Sequence, residues 1–322
     1  MKDKKKLDTK MIGTLAPYIG LVLAAVLFEI LTKGALFNST NIQSLSNQII
    51  VTALATIGAV FIFGAGFFDV SLGGSICFSA VIGALATVRT GSLFVGAVVI
   101  LAISLAFGLA KGIFAAKVNV PFFIFTVVLG SVLSSAVLVI LGNTSQVFLS
   151  DSVHEIPSFN FGQITVINYI ALAAFFILGV VLFNYTSLGI RIKNMGGNII
   201  SARQSGIDTQ KTTIAAFLIS AFGLAVAAFL ILIRTRTVGG STAGTIGNDV
   251  MVALVLGGMP LSGGPRSKIS AGLIGAATIT ILNSGLAIMG LTSGQIQIVR
   301  GIVFIVVVWV SSFSYRSKLL PR

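Results

Sequence analysis

The chain has 322 residues, of which 56% are apolar and only 9% charged, and its formal net charge is +13. A soluble globular domain carries about a quarter charged residues, so that class is excluded, and a mean hydropathy of +1.06 reads as an all-α integral membrane protein. The basic residues sit at the ends of apolar runs, so the lipid bilayer is an expected partner and nucleic acid is not.

Apolar runs of about 20 residues suit helices crossing a hydrocarbon core better than the short alternating strands of a barrel. The chain opens on a basic tail, residues 1–10, and a first span at about 11–31 that is longer than a signal-peptide core and is read as retained. Further spans are expected at about 49–68, 72–88, 93–115, 121–141, 165–184, 212–233, 249–260, 269–289 and 296–313, which makes about ten transmembrane helices. The eighth is short and ends in Gly257-Gly258-Met259-Pro260, which suits a broken or tilted helix. The 36 glycines point to close helix packing. The lone cysteine, Cys77, lies within an apolar span and is read as packing.

With the N-terminus inside and the spans alternating, only Lys33, Arg89, Arg234, Arg236 and Arg300 of the 21 Lys and Arg residues fall outside, and Lys111 and Lys117 count as inner charges. The positive-inside rule then places both termini in the cytoplasm. The external connector, 142–163, holds Asp151, His154 and Glu155. Without a second His or Cys cluster it reads as an acidic loop facing an external partner, and no metal is expected.

Between the two apolar halves lies the most polar interruption, Gly189 to Lys211, where Arg191, Lys193, Arg203 and Lys211 stand against Asp208. Gly196-Gly197-Asn198 forms a turn there before a helix-capable run, Ile199 to Gln204. Such a loop either fixes topology by its charge or docks a soluble partner; composition leaves both open. Inside the spans only Glu29 and Asp69 are noted as ionisable, a poor supply for the proton relay of an ion-coupled secondary transporter, the main alternative. The chain carries neither H-E-x-x-H, G-x-S-x-G nor Walker A patterns, so no catalytic residue or cofactor is expected, and any ATP hydrolysis belongs to another chain.

Several stretches rise above composition: Asp69, Ser71 and Gly73 as D-x-S-x-G; Gly196, Gly197 and Asn198 with Ser205, Gly206 and Ile207; Thr242-Ala243-Gly244; Leu256-Gly257-Gly258; Leu261-Ser262-Gly263-Gly264; and Leu282-Asn283-Ser284-Gly285-Leu286. In their order and spacing, from about residue 40 to the C-terminus, the sequence resembles the permease subunits of bacterial ABC importers for monosaccharides, the ribose, xylose, galactose and autoinducer-2 group. It departs from them at Phe68, usually Ile; at Ile199-Ile200-Ser201, where an acidic residue often stands; and at Pro265-Arg266-Ser267, in place of a glycine-bearing turn. The resemblance implies one transmembrane permease domain, 1–322, in the bacterial inner membrane, with a cytoplasmic coupling loop at 185–211. It also implies a homodimer or a sister permease, two ATP-binding subunits inside and an extracytoplasmic sugar-binding protein. Joined to the basic loop, it nominates Asn194, Gly196, Gly197, Asn198, Ser205, Gly206 and Ile207 for coupling to the ATPase. Asp69, Ser71 and Asn283 are nominated for the substrate pathway.

Asp69 has two readings. It caps the third helix by accepting from the N–H groups of Leu72 or Gly73, the reading favoured, or it belongs to a broken segment, Phe67 to Ser75, whose polar groups meet sugar hydroxyls. A weak internal echo sets Gly73-Gly74 and Ser79 to Ala84 against Gly263-Gly264 and Ser270 to Ala276, as an internal duplication would.

Overall fold

The computed structural model describes residues 2–316 except 119, 244 and 261, and gives side chains only within 15–309. Its helices in chain order are α1 (Lys2–Leu31), α2 (Ser39–Gly64), α3 (Leu72–Thr90), α4 (Leu93–Lys117), α5 (Phe122–Leu141), α6 (Phe161–Val180), α7 (Ser187–Gly197) and α8 (Ile199–Gln204). Then follow α9 (Thr209–Thr235), α10 (Ile246–Leu256), α11 (Ile269–Ile288) and α12 (Ser293–Arg316). Seven described helices are long and apolar enough to cross a membrane: α2, α3, α4, α5, α6 with the π-helical turn Val181–Tyr185 that extends it, α9 and α11. Shorter apolar stretches lie at Leu15–Leu31, Ile246–Leu256 and Ser293–Trp309. The fold is that of an all-α integral membrane protein, and each expected span coincides with one of these segments. The second begins ten residues earlier than its apolar run, because Ser39 to Gln48 continues the same helix as a polar first part.

One element was not foreseen. Strands β1 (Gln146–Phe148) and β2 (Thr237–Gly239) pair antiparallel, Val147 opposite Val238, and so join the loop after α5 to the end of α9. Arg236, at φ 54°, turns the chain into β2, and its Nη1 donates to Pro157 O at 3.1 Å.

At the centre, α2 packs on α9 and α11, and α4 packs on α9. In lipid there is no hydrophobic gain from pressing two apolar helices together, so close contact depends on small residues that let backbones approach. At α10–α11, a Cβ on Gly275 would collide with the Ala253 carbonyl, and one on Gly257 with the Ala271 carbonyl. By contrast, α5 and α6 turn most of their surface outward, exposing Val128, Val139, Ile170 and Ile177, as helices facing lipid do.

The packing repeats with the halves exchanged. Helix α3 lies on α4, α9 and α5; correspondingly α10 lies on α11, α2 and α12, and α4 on α9 matches α11 on α2. The equivalent helices run in opposite directions. Helix α2 ends at Gly64, next to Gly196 in α7, whereas α9 starts just after α8. Such an inverted arrangement is common in transporters. It also corrects the internal echo. Gly73 and Gly74 belong to the first turn of α3, but Gly263 and Gly264 lie in the loop before α11 at φ of 67° and 88°, so the true counterpart of α3 is α10.

Helices α3 and α10 both begin inside the bundle and meet at their N-terminal turns. A Cβ on Gly73 would stand 2.7 Å from the Ala243 carbonyl oxygen and 2.9 Å from the Gly247 nitrogen, and one on Gly247 would stand 2.8 Å from the Val70 oxygen. Each helix is therefore preceded by non-helical chain within the bundle, 67–70 in one case and 240–243 in the other. The short eighth span is α10, a half-length helix.

Candidate functional site

Two places gather the residues singled out by sequence. The first is the end of the bundle where α2 finishes and α9 begins. Helix α7 buries Gly189, Ile192 and Met195 and exposes Arg191 and Asn194. Its last two residues are Gly196 and Gly197, so the turn expected at Gly196-Gly197-Asn198 is confined to Asn198, which is extended at φ −163°. The reason is the neighbouring backbone. Gly264 N–H donates to Gly64 O at 3.0 Å, and Gly196 packs on both groups so closely that any Cβ would collide with them. Gly197 is looser; its added Cβ would meet only the Pro265 ring, Cδ at 3.4 Å and Cγ at 3.9 Å.

Asn198 Oδ1 accepts from Ile200 and Ser201 N–H at 2.9 and 3.1 Å, which starts α8 as an N-cap should. Gly206, at φ 78°, closes the helix, with Ile207 N–H returning to Ala202 O at 3.1 Å. Asp208 then caps α9 by accepting from Lys211 N–H at 3.0 Å. That bond holds the Asp208 carboxyl below its ordinary pKa range. The outer face of α8 presents Ile199, Ile200 and Arg203 to the surroundings while Ala202 anchors it. Asn194, Gly196, Gly197, Asn198, Ser205, Gly206 and Ile207 thus form one short helical hairpin seated on backbone from α2 and from the loop before α11.

The second place is the junction of α3 and α10. Asp69 does not cap α3. Its Oδ1 accepts from Ser71 N–H at 2.8 Å and from Ser71 Oγ at 2.6 Å, while its Oδ2 accepts from Lys111 Nζ at 2.8 Å. Neither Leu72 nor Gly73 is its donor, because the side chain turns back on its own segment and towards α4. Lys111 Nζ also reaches Ser71 Oγ and Ser75 Oγ, each at 3.3 Å. Asp69 and Lys111 are 0% and 2% exposed, so Lys111 is no inner surface charge; it sits about 9 Å inside the end of α4 at 1.5 Å per residue. Asn283 lies elsewhere at the same junction, beside Asp249 of α10, which pairs with Arg300 of α12.

Lys111, Asp249 and Arg300 were therefore missed as ionisable groups inside spans. The signal was present, since each falls within a span as drawn: 93–115, 249–260 and 296–313. Counting Lys111 and Arg300 towards topology hid them, although an ionisable residue inside a span is costly and normally paired.

A bundle of membrane helices with an inverted repeat, a half-length helix that meets the start of a longer one inside it and a helical hairpin at one end has the form of a membrane transport component. The family model described as branched-chain amino acid transport system / permease component matches residues 41–308. The chain belongs to that family, and is a transport permease subunit, not an enzyme. It is similar to the xylose transport system permease protein of Haemophilus influenzae, 26% identical over 92% of this chain and 96% of the relative. The ribose import permease protein of Escherichia coli K12 is 27% identical over 91% of each chain, and the xylose transport system permease protein of the same strain is 25% identical over 97% and 94%.

Proposed function

We propose that this chain is the single-domain permease of an ABC importer that moves a monosaccharide or similar small polar solute across the bacterial inner membrane, driven by ATP hydrolysis on separate subunits. The observation that carries the reading is near full-length similarity to permeases named for xylose and ribose. The family description names branched-chain amino acids instead, which makes that cargo the second reading. Against ion coupling stands the Asp69–Lys111 pair, whose hydrogen-bonding atoms are engaged within the protein.

In this reading the hairpin of α7 and α8 is the docking element for the ATPase, and its seat transmits closure of the ATPase as a rigid-body movement. Gly196 ties the hairpin to α2, whose chain continues into the Asp69 segment, and to the loop that joins α10 to α11. Helices α3 and α10 are then both driven from one point. An extracytoplasmic binding protein delivers the solute, and a second permease copy or a sister permease completes the pore.

The test is purification of the full chain in detergent with its natural complement of soluble proteins. Two ATP-binding subunits should co-purify, and sugar-loaded binding protein should raise ATP hydrolysis severalfold. Stimulation only by a binding protein loaded with leucine, isoleucine or valine would transfer the assignment to the second reading. Topology has its own check. With both termini cytoplasmic, cysteines at Ser152 and Ser201 in a Cys77→Ser background label from opposite sides of the membrane; labelling of both from outside would remove the hairpin from the ATPase side.

A further inference from the structure

Two ion pairs flank the junction of α3 and α10, and they differ in how fully their polar atoms are used. In the Asp69–Lys111 pair, the ammonium group meets Asp69 Oδ2, Ser71 Oγ and Ser75 Oγ, three acceptors for its three hydrogens. The Asp249–Arg300 pair is not closed in this way. Arg300 Nη1 donates to Asp249 Oδ1, and the Asn283 side chain stands beside the same carboxylate. Yet Arg300 Nε and Asn283 Oδ1 are both buried with no hydrogen-bond partner among the described residues. A buried donor or acceptor left unpaired is destabilising, and each instance in a folded chain calls for an explanation.

The leftover chemistry is specific. The charges of Asp249 and Arg300 offset each other, leaving one spare donor and one spare acceptor on two side chains beside one carboxylate. Neighbouring hydroxyls of a polyol complement that set, since each hydroxyl both donates and accepts. A zwitterionic amino acid would instead need a free cation and a free anion. We infer that Asn283, Arg300 and Asp249 form a contact site for a polyhydroxylated solute, with Asn283 Oδ1 accepting from one hydroxyl and Arg300 Nε donating to its neighbour. The inference rests on the monosaccharide reading above and adds Arg300 and Asp249 to the pathway.

The full chain carrying Cys77→Ser and Ala287→Cys is reconstituted in lipid nanodiscs. Ala287 is exposed and lies one turn beyond Asn283 on the same face of α11. Modification of the new cysteine by a hydrophilic methanethiosulfonate is timed alone and with excess D-ribose, D-xylose, D-galactose or L-leucine. At least one sugar should slow modification severalfold, and leucine should not. Arg300→Lys keeps a cation for Asp249 but removes the Nε donor, so half-protection should then require about tenfold more sugar. If that variant is not monodisperse, Asn283→Ser, which shortens the acceptor, carries the same comparison. Protection that neither variant shifts, protection by no sugar, or a cysteine that the reagent does not reach would each overturn the contact site. Those results leave the permease reading standing, because ATPase co-purification decides it separately; protection by leucine alone would overturn the sugar cargo and this inference together.

Discussion

Replacing Lys111 with methionine should leave little folded protein. The change strands the Asp69 carboxylate at 0% exposure with only Ser71 to hold it. Removing one partner of a buried ion pair costs about 3–5 kcal/mol, because the other charge has no solvent to return to. Thermal unfolding of the detergent-purified chain, with the monodisperse fraction from gel filtration, measures the loss. Asp69→Asn should be comparably harmful, for it leaves the ammonium group buried without its anion; a carboxylate that merely capped α3 would tolerate that change. The double variant Asp69→Asn, Lys111→Met removes both charges and should recover most of the stability of either single variant. Equal damage in the double variant would show that the pair is not what holds the segment.

The second large effect concerns the two glycines of the hairpin, which the sequence treats alike. Gly196→Ala places a methyl group against the Gly64 carbonyl and the Gly264 N–H. Backbone cannot swing aside as a side chain does, so the hairpin must lift from its seat, and overpacking of this kind typically costs about 1–3 kcal/mol. In the assembled transporter, transport should fall at least tenfold while basal ATP hydrolysis persists. Gly197→Ala meets only the Pro265 ring, at 3.4 Å from Cδ, an ordinary contact, and should behave as the natural chain does. A bulkier Gly197→Leu should enter the membrane normally but weaken coupling. Uptake per ATP hydrolysed is the measurement, and equal behaviour of Gly196→Ala and Gly197→Ala would dismiss the proposed seat.

What the sequence disclosed and what it withheld follow from the range of the forces involved. Apolar length is a local property, so the span at 93–115 and the short, Gly-Pro-ended span at 249–260 appear as α4 and α10. The helix Ile199–Gln204 was legible as well, because its cap, Asn198, is its immediate neighbour in the chain. Partnerships at long range were not. Lys111 is 42 residues from Asp69, and nothing near either residue announces the other. Asp69 reads as a cap from its own neighbourhood, where Leu72 and Gly73 offer N–H groups. The fit of Gly196 against Gly64 and Gly264 likewise joins three separate parts of the chain. Identical Gly-Gly pairs suggested a repeat between 73–74 and 263–264, yet the repeat lies in packing and direction, which residue identity does not record.

The meeting of α3 and α10 has an electrostatic corollary. Each helix presents about half a positive elementary charge at its first turn. The carboxylates nearby, Asp69 and Asp249, are each offset by a cation, Lys111 or Arg300. The local sum is therefore close to one positive charge, in a medium that screens it poorly. For a hydronium or sodium ion this is a barrier of the kind that the positive ends of half-helices set up in water-selective pores, whereas an uncharged molecule meets no such penalty. A membrane that stores energy as a proton gradient can house such a junction without being short-circuited by it.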